Sequence, residues 1–291
     1  MITIEDIENH KRISDEKLRQ DLKNLKKFEP FENKNNFYGN PFLYHHQFKN
    51  LLKCRRGKKT LYEIYEDKEE WNKLLSDTEK RGRNGPSMAS NVFECYRINK
   101  GSIVMFKSIT AKYLYKKYGA TSVLDPTAGW GGRMLGAWAL GIDYTGIDTN
   151  IEMKSAYDDM ISFLEKETNP FFEEVSNLRM IWDSCLDVDF SKIDYDFVLT
   201  SPPYINMEVY EHMPEWSSEE VFYRSFLIPL INKCKFHIKP GGYVCFNISP
   251  NMYIDAIRFG LEPCDIEEDL LQQMGQNSGK KKQDKIYIWK C

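Results

Sequence analysis

Long apolar runs are missing from this 291-residue chain, and none reaches the length needed to cross a bilayer. The opening stretch, MITIEDIENHKR, is too acidic for a secretory leader. Histidine is scarce: of five, only His45 and His46 are adjacent, so no metal-ligand spacing stands out and no metal is expected. The seven cysteines, at positions 54, 95, 185, 234, 245, 264 and 291, are odd in number and never spaced Cys-x-x-Cys. That argues against a disulfide framework or a zinc site, and for reduced thiols in a soluble, intracellular protein with no membrane partner.

What is present can fill a core, since 42% of the residues are hydrophobic, while 29% are charged and furnish an ordinary surface. The net charge of −3 hides an asymmetry: residues 1–90 hold 19 Lys/Arg against 15 Asp/Glu, and the remainder 21 against 28. The stretch KNLLKCRRGKK (49–59) carries six basic residues and no acid, a pattern that suits phosphates or a solvated helix end about equally. Residues 14–28 and 66–81 read as helices, the second stopped by Gly82, with a Pro-, Asn- and Gly-dense loop at 28–42. RGRNGPS (81–87) reads as a linker, dividing a helical, basic region at 1–83, with a recognition or accessory role, from a larger domain at 84–291.

The pattern then alternates. Short apolar strands are expected at 121–125, 143–148, 178–183, 195–200, 241–249 and 284–290. Helical segments fall at 133–141, 151–167 and 218–238, the last kinked or divided by Pro229. Strands alternating with helices predict an α/β fold with a doubly wound, mostly parallel sheet; the closing strand follows a polar turn and has licence to run antiparallel.

In such sheets ligands sit at the carboxyl ends of the strands, near the switch point. The first strand runs into LDPTAGWGGR (124–133), where Gly129, Gly131 and Gly132 permit close approach of the backbone to a ligand. A nicotinamide dinucleotide fingerprint would have no acid here, yet Asp125 opens the loop, and Met134 stands where the third glycine belongs. A carboxylate at that point repels pyrophosphate and attracts an ammonium. S-adenosyl-L-methionine fits, with a cationic amine and no phosphate. Its ribose hydroxyls need an acceptor at the end of the second strand, where Asp148 lies, and its adenine amino group one at the end of the third, where Asp183 lies. Helix capping would explain any one of these aspartates, but it explains less well three in order beside a Gly-rich loop.

The fourth strand ends in TSPPY (200–204), where two prolines remove two backbone donors and stop the strand. Together, DPTAGWGGR, GID, WDS and TSPPY resemble motifs I to IV of the S-adenosylmethionine-dependent DNA amino-methyltransferases, which modify cytosine N4 or adenine N6. The resemblance covers roughly residues 84–291 and includes FKSITAKYLYKKYG (106–119), similar to the family's motif X. It implies a Rossmann-like class I methyltransferase fold and a DNA substrate. It further implies cofactor contacts from Phe106, Lys107, Asp125, Pro126, Thr127, Ala128, Gly129, Gly131, Asp148, Asp183 and Ser184, with S-adenosyl-L-homocysteine as product. The first eighty residues resemble nothing in that family.

An exocyclic amino group is a poor nucleophile because its lone pair is delocalised into the ring. Acceptors that grip its hydrogens free that pair, and the Ser201 side chain with the Pro202 carbonyl can serve, held by Pro202 and Pro203. Tyr204 can then stack on a base swung out of the helix. A cytosine carbon-5 enzyme would need a nucleophilic cysteine after a proline; only Cys264 follows one, far from such a strand end. Target recognition falls to the basic N-terminal region, to 205–218 or to 265–283 with Lys280, Lys281 and Lys282. By resemblance, a serine opening the hook leans toward DNA over RNA or protein glutamine, and toward cytosine N4 over adenine N6. The remaining alternative is a non-catalytic cofactor-binding subunit of a modification complex; oligomeric state is left open.

Overall fold

A computed structural model of the chain describes residues 2–29, 36–54, 59–82, 85–100, 103–168, 175–205, 215–269 and 285–291. Three expected recognition segments therefore fall partly outside the described residues: 55–58 of the basic cluster, 206–214 after the hook, and 270–284 with its lysines.

Among the described residues, six helices come first: α1 (Ile4–Asn9), α2 (Asp15–Lys27), α3 (Asn40–Lys53), α4 (Leu61–Glu66), α5 (Lys68–Arg81) and α6 (Met88–Lys100). Thr3 and Thr60 close capping boxes on α1 and α4, and Asp67 accepts from two N–H groups at the start of α5. Gly82 ends α5 at φ 57°, the left-handed cap expected of it. The loop expected at 28–42 is shorter than that, because α3 already begins at Asn40 with Pro41 in its first turn. Asp21 of α2 supplies the cap, accepting from Gly39 N and Phe42 N. An acid 18 residues away gives no local signal for a helix start.

The rest alternates: α7 (Ser108–Tyr118), β1 (Ser122–Asp125), α8 (Gly132–Trp138), β2 (Asp143–Asp148), α9 (Lys154–Lys166), β3 (Leu178–Trp182) and β4 (Phe197–Thr200). Then come α10 (Glu219–Phe222), α11 (Ile228–His237), β5 (Tyr243–Ile248), α12 (Pro250–Arg258), β6 (Ile266–Asp269) and β7 (Lys285–Lys290). A π-helical turn, Tyr223–Leu227, joins α10 to α11 and sets Pro229 in the first turn of α11, where its missing N–H costs little. The sheet runs β3-β2-β1-β4-β5-β7-β6. β1 to β5 pair in parallel, and β7 runs antiparallel to both β5 and β6. This is the doubly wound, mostly parallel sheet expected. Strand order reverses between β1 and β4, so the crevice beyond their carboxyl ends is the switch point.

Each face carries an apolar layer. One layer contains α10 to α12 residues such as Phe222, Leu230 and Ala256. The other unites α7, α8 and α9 with the N-terminal helices, placing Leu22, Phe42 and Phe48 in the same cluster as Leu114, Leu135 and Tyr157. Lys112 of α7, 2% exposed, donates to the carbonyls of Leu25, Lys26 and Phe28 at 2.9, 2.7 and 2.8 Å. It thereby caps the carboxyl end of α2, where a cation also opposes the helix dipole.

Candidate active site

The loop after β1 is held from three sides. Ala128 N donates to Ile147 O of β2 at 2.9 Å, and Gly129 N to Asp148 Oδ2 at 2.8 Å. The buried Tyr157 hydroxyl donates to Gly129 O at 2.8 Å. Gly131, at φ 83°, turns the chain into α8 through a conformation that strains any other residue. A methyl group on Gly132 would lie 1.9 Å from the Phe106 carbonyl oxygen, so the segment before α7 packs directly on the loop. Phe106 lies under the Arg133 guanidinium, 5.2 Å away. Lys107 is buried with its ammonium over the Phe37 ring at 4.2 Å, and burial lowers its pKa.

Asp148 is half-buried. Each carboxylate oxygen receives one backbone N–H, Gly129 on Oδ2 and Asn150 on Oδ1 at 2.9 Å. Burial raises its pKa and those two donors oppose the rise. Each oxygen keeps lone-pair capacity for a vicinal diol. Asp183 stands exposed just past β3, bonded through Oδ1 to the N–H of the half-buried Ser184.

Asp125 differs from its sequence expectation. It does end β1, but its carboxylate turns inward and is 0% exposed, rather than meeting a ligand ammonium. Oδ2 accepts from Arg133 Nε at 2.6 Å and Tyr144 Oη at 2.7 Å, and Oδ1 from Thr200 Oγ1 at 2.8 Å. Arg133 is itself 4% exposed and also donates to Thr127 O. Burial works against its charge, and the Asp125 carboxylate more than offsets that, holding the guanidinium above its usual pKa range. A buried pair this well bonded neutralises both charges and leaves the crevice without a fixed charge from either.

Ser201, Pro202, Pro203 and Tyr204 follow β4 directly, Pro202 buried and the other three half-buried. Ser201 O accepts from Thr127 Oγ1 at 3.1 Å, and Ser201 Oγ lies 3.4 Å from Asn247 Oδ1 on β5. Asn247 Nδ2 in turn donates to Lys285 O at 3.1 Å. Tyr204 packs against the apolar layer of α10 to α12. The hook and the Gly-rich loop are thus joined across the switch point, with Pro126 and Ala128 buried beneath. Sequence reasoning missed Arg133, Tyr144, Tyr157, Thr200 and Asn247. Arg133 and Thr200 stood inside the quoted motifs, but nothing in their spacing said that their side chains converge on the Asp125 carboxylate.

Among the described residues, no group of three or more His, Cys, Asp or Glu side chains could hold a metal ion, and no helix is long and apolar enough to cross a membrane.

No protein-family profile and no curated protein matches the chain. Solved structures do align with it. An rRNA methylase from Streptococcus thermophilus is 11% identical over 65% of this chain and 99% of its own, at a TM-score of 0.40. An RNA methyltransferase from Salinibacter ruber, in complex with S-adenosyl-L-homocysteine, is 14% identical over 64% and 93%, at 0.38. The N-methyltransferase NodS from Bradyrhizobium japonicum WM9 is 10% identical over 62% and 96%, at 0.38. These are partial likenesses of fold and say nothing of substrate.

Proposed function

We propose that the protein transfers a methyl group from S-adenosyl-L-methionine to an exocyclic amino group of a base in DNA, cytosine N4 before adenine N6. One observation carries the reading. Thr127 of the Gly-rich loop hydrogen-bonds both Thr200 and the Ser201 carbonyl, so a nucleoside-binding loop and a Ser-Pro-Pro-Tyr hook share one crevice at the switch point.

The residues fit the cofactor. Asp148 holds acceptor capacity for a ribose diol beside the Gly129 amide, and the exposed Asp183 offers an acceptor for an adenine amino group. When bound, the cofactor supplies an electrophilic methyl on a sulfonium. The protein's part is positioning and preorganised acceptors. Ser201 Oγ, oriented by Asn247, and the Pro202 carbonyl receive the amino hydrogens, and the paired prolines leave no N–H to compete. Tyr204, close behind, offers an aromatic surface to an extruded base. With Asp125 paired to Arg133, the acceptors that meet a neutral amine are themselves neutral.

Purified protein and labelled cofactor, offered duplex DNA, RNA and protein in parallel, should label DNA. Digestion of that DNA to nucleosides, separated by mass spectrometry, should give N4-methylcytosine. Label in RNA alone would replace the substrate and keep the chemistry; no transfer to any acceptor would end the reading.

A further inference from the structure

We infer that Thr200, buried at the end of β4, is a positioning residue: its hydroxyl clamps the cofactor loop to the hook and so sets the distance between methyl donor and acceptor. The inference rests on the methyl-transfer reading above, and its geometry is independent of it.

A threonine hydroxyl has one proton and two lone pairs. Asp125, paired with Arg133, is an acceptor, so the Thr200 proton goes to Asp125 Oδ1 at 2.8 Å. Both lone pairs are then approached by Thr127: its N–H at 3.2 Å and its hydroxyl at 2.6 Å. With the Thr200 proton committed, the short contact between hydroxyls must be donated by Thr127, which also lies 3.1 Å from Ser201 O. Thr200 is 0% exposed, so water cannot reach its hydroxyl to take over the bond it donates to Asp125. The Thr127 proton therefore has two competing acceptors, Thr200 Oγ1 and the hook carbonyl. Their competition fixes where Ser201 sits relative to the loop.

The clamp also adds a side-chain link between supports that arrive on different elements of the paired sheet. Asp125 and Arg133 anchor the loop from β1 and α8, whereas Asn247 anchors Ser201 from β5. Without the Thr200 hydroxyl, both anchors persist and their register relaxes. A misplacement on the order of 1 Å between reacting groups costs about 100-fold in rate.

The test pairs Thr200→Val, which keeps the shape, with Thr200→Ser, which keeps the hydroxyl. Amide hydrogen exchange read by mass spectrometry on the full chain reports the clamp without any need for activity. In Thr200→Val, peptides spanning 125–131 and 200–205 should exchange faster by about tenfold, with the rest of the chain unchanged. Thr200→Ser should exchange as the wild type does. In turnover, Thr200→Val should lose roughly 10- to 100-fold in kcat while the Kd for S-adenosyl-L-methionine and the KM for nucleic acid stay within about threefold, and Thr200→Ser should restore kcat. Unchanged local exchange, or a serine variant as impaired as the valine one, overturns the clamp. So does a loss confined to cofactor affinity. A wild type that transfers no methyl yet shows the exchange difference keeps the clamp and rejects the methyl-transfer reading instead.

Discussion

Among the described residues, one backbone N–H reaches each oxygen of Asp148, which leaves each with lone-pair capacity. Asp148→Asn turns one of those oxygens into a donor facing an N–H, so affinity for S-adenosyl-L-methionine should fall by about 1.5–3 kcal/mol, as for a hydrogen bond to a charged group. Calorimetry on a variant with unchanged melting would show it; equal affinity would reject the ribose assignment. Asp125 ends the neighbouring strand and looks equivalent in sequence, yet it is consumed by partners 8, 19 and 75 residues away. Strand-end position was legible from the apolar runs around both aspartates. The direction of each carboxylate was not, because it is decided by side chains that meet only after β1, β2 and β4 have paired. Asn247 was hidden for the same reason, lying 46 residues from the serine it orients.

At the scale of elements, the strands were legible and several helices were not. β4 is buried at all four positions, which reads as an unbroken apolar run. α3 packs on more than one side, burying Phe42, Leu43, Phe48, Leu51 and Leu52, and its two histidines break the simple stripe. Those histidines give the element a pH dependence. His46 lies 4.6 Å from the Phe42 ring, and burial, helped by His45 and Arg12, pushes its pKa from 6.5 down to about 4. Burial lowers His45 and His10 as well. The unfolded chain takes up these protons near pH 6.5 while the folded one resists until lower pH. Stability is therefore insensitive to His46 above pH 6.5 and falls between 6.5 and about 4, by up to ~3 kcal/mol. His46→Phe should flatten that acid limb in urea titrations at stepped pH. A variant with the wild-type slope would assign the limb to other groups.

For the whole molecule, the linker expected at 81–87 does not separate the apolar layers, since α2 and α3 share one with α7 to α9. Lys112 fastens that union, and Lys112→Met would strand three carbonyls at the end of α2. A loss of about 1.5–3 kcal/mol is expected, within one cooperative melting transition. Two separate transitions by calorimetry would mean that the N-terminal helices fold on their own. The sheet order has a consequence for synthesis. β7 sits between β5 and β6 but is made after both, so a chain still emerging from the ribosome has β5 with one edge open. That edge is Tyr243 to Ile248, a run of β-prone and apolar residues, and among the described residues β6 has no partner but β7. Until residues 285–290 emerge, the nascent sheet offers a sticky border to any passing strand. Chains truncated within the preceding polar stretch and released should therefore be aggregation-prone and chaperone-dependent, and those six residues close the border by pairing on both sides at once.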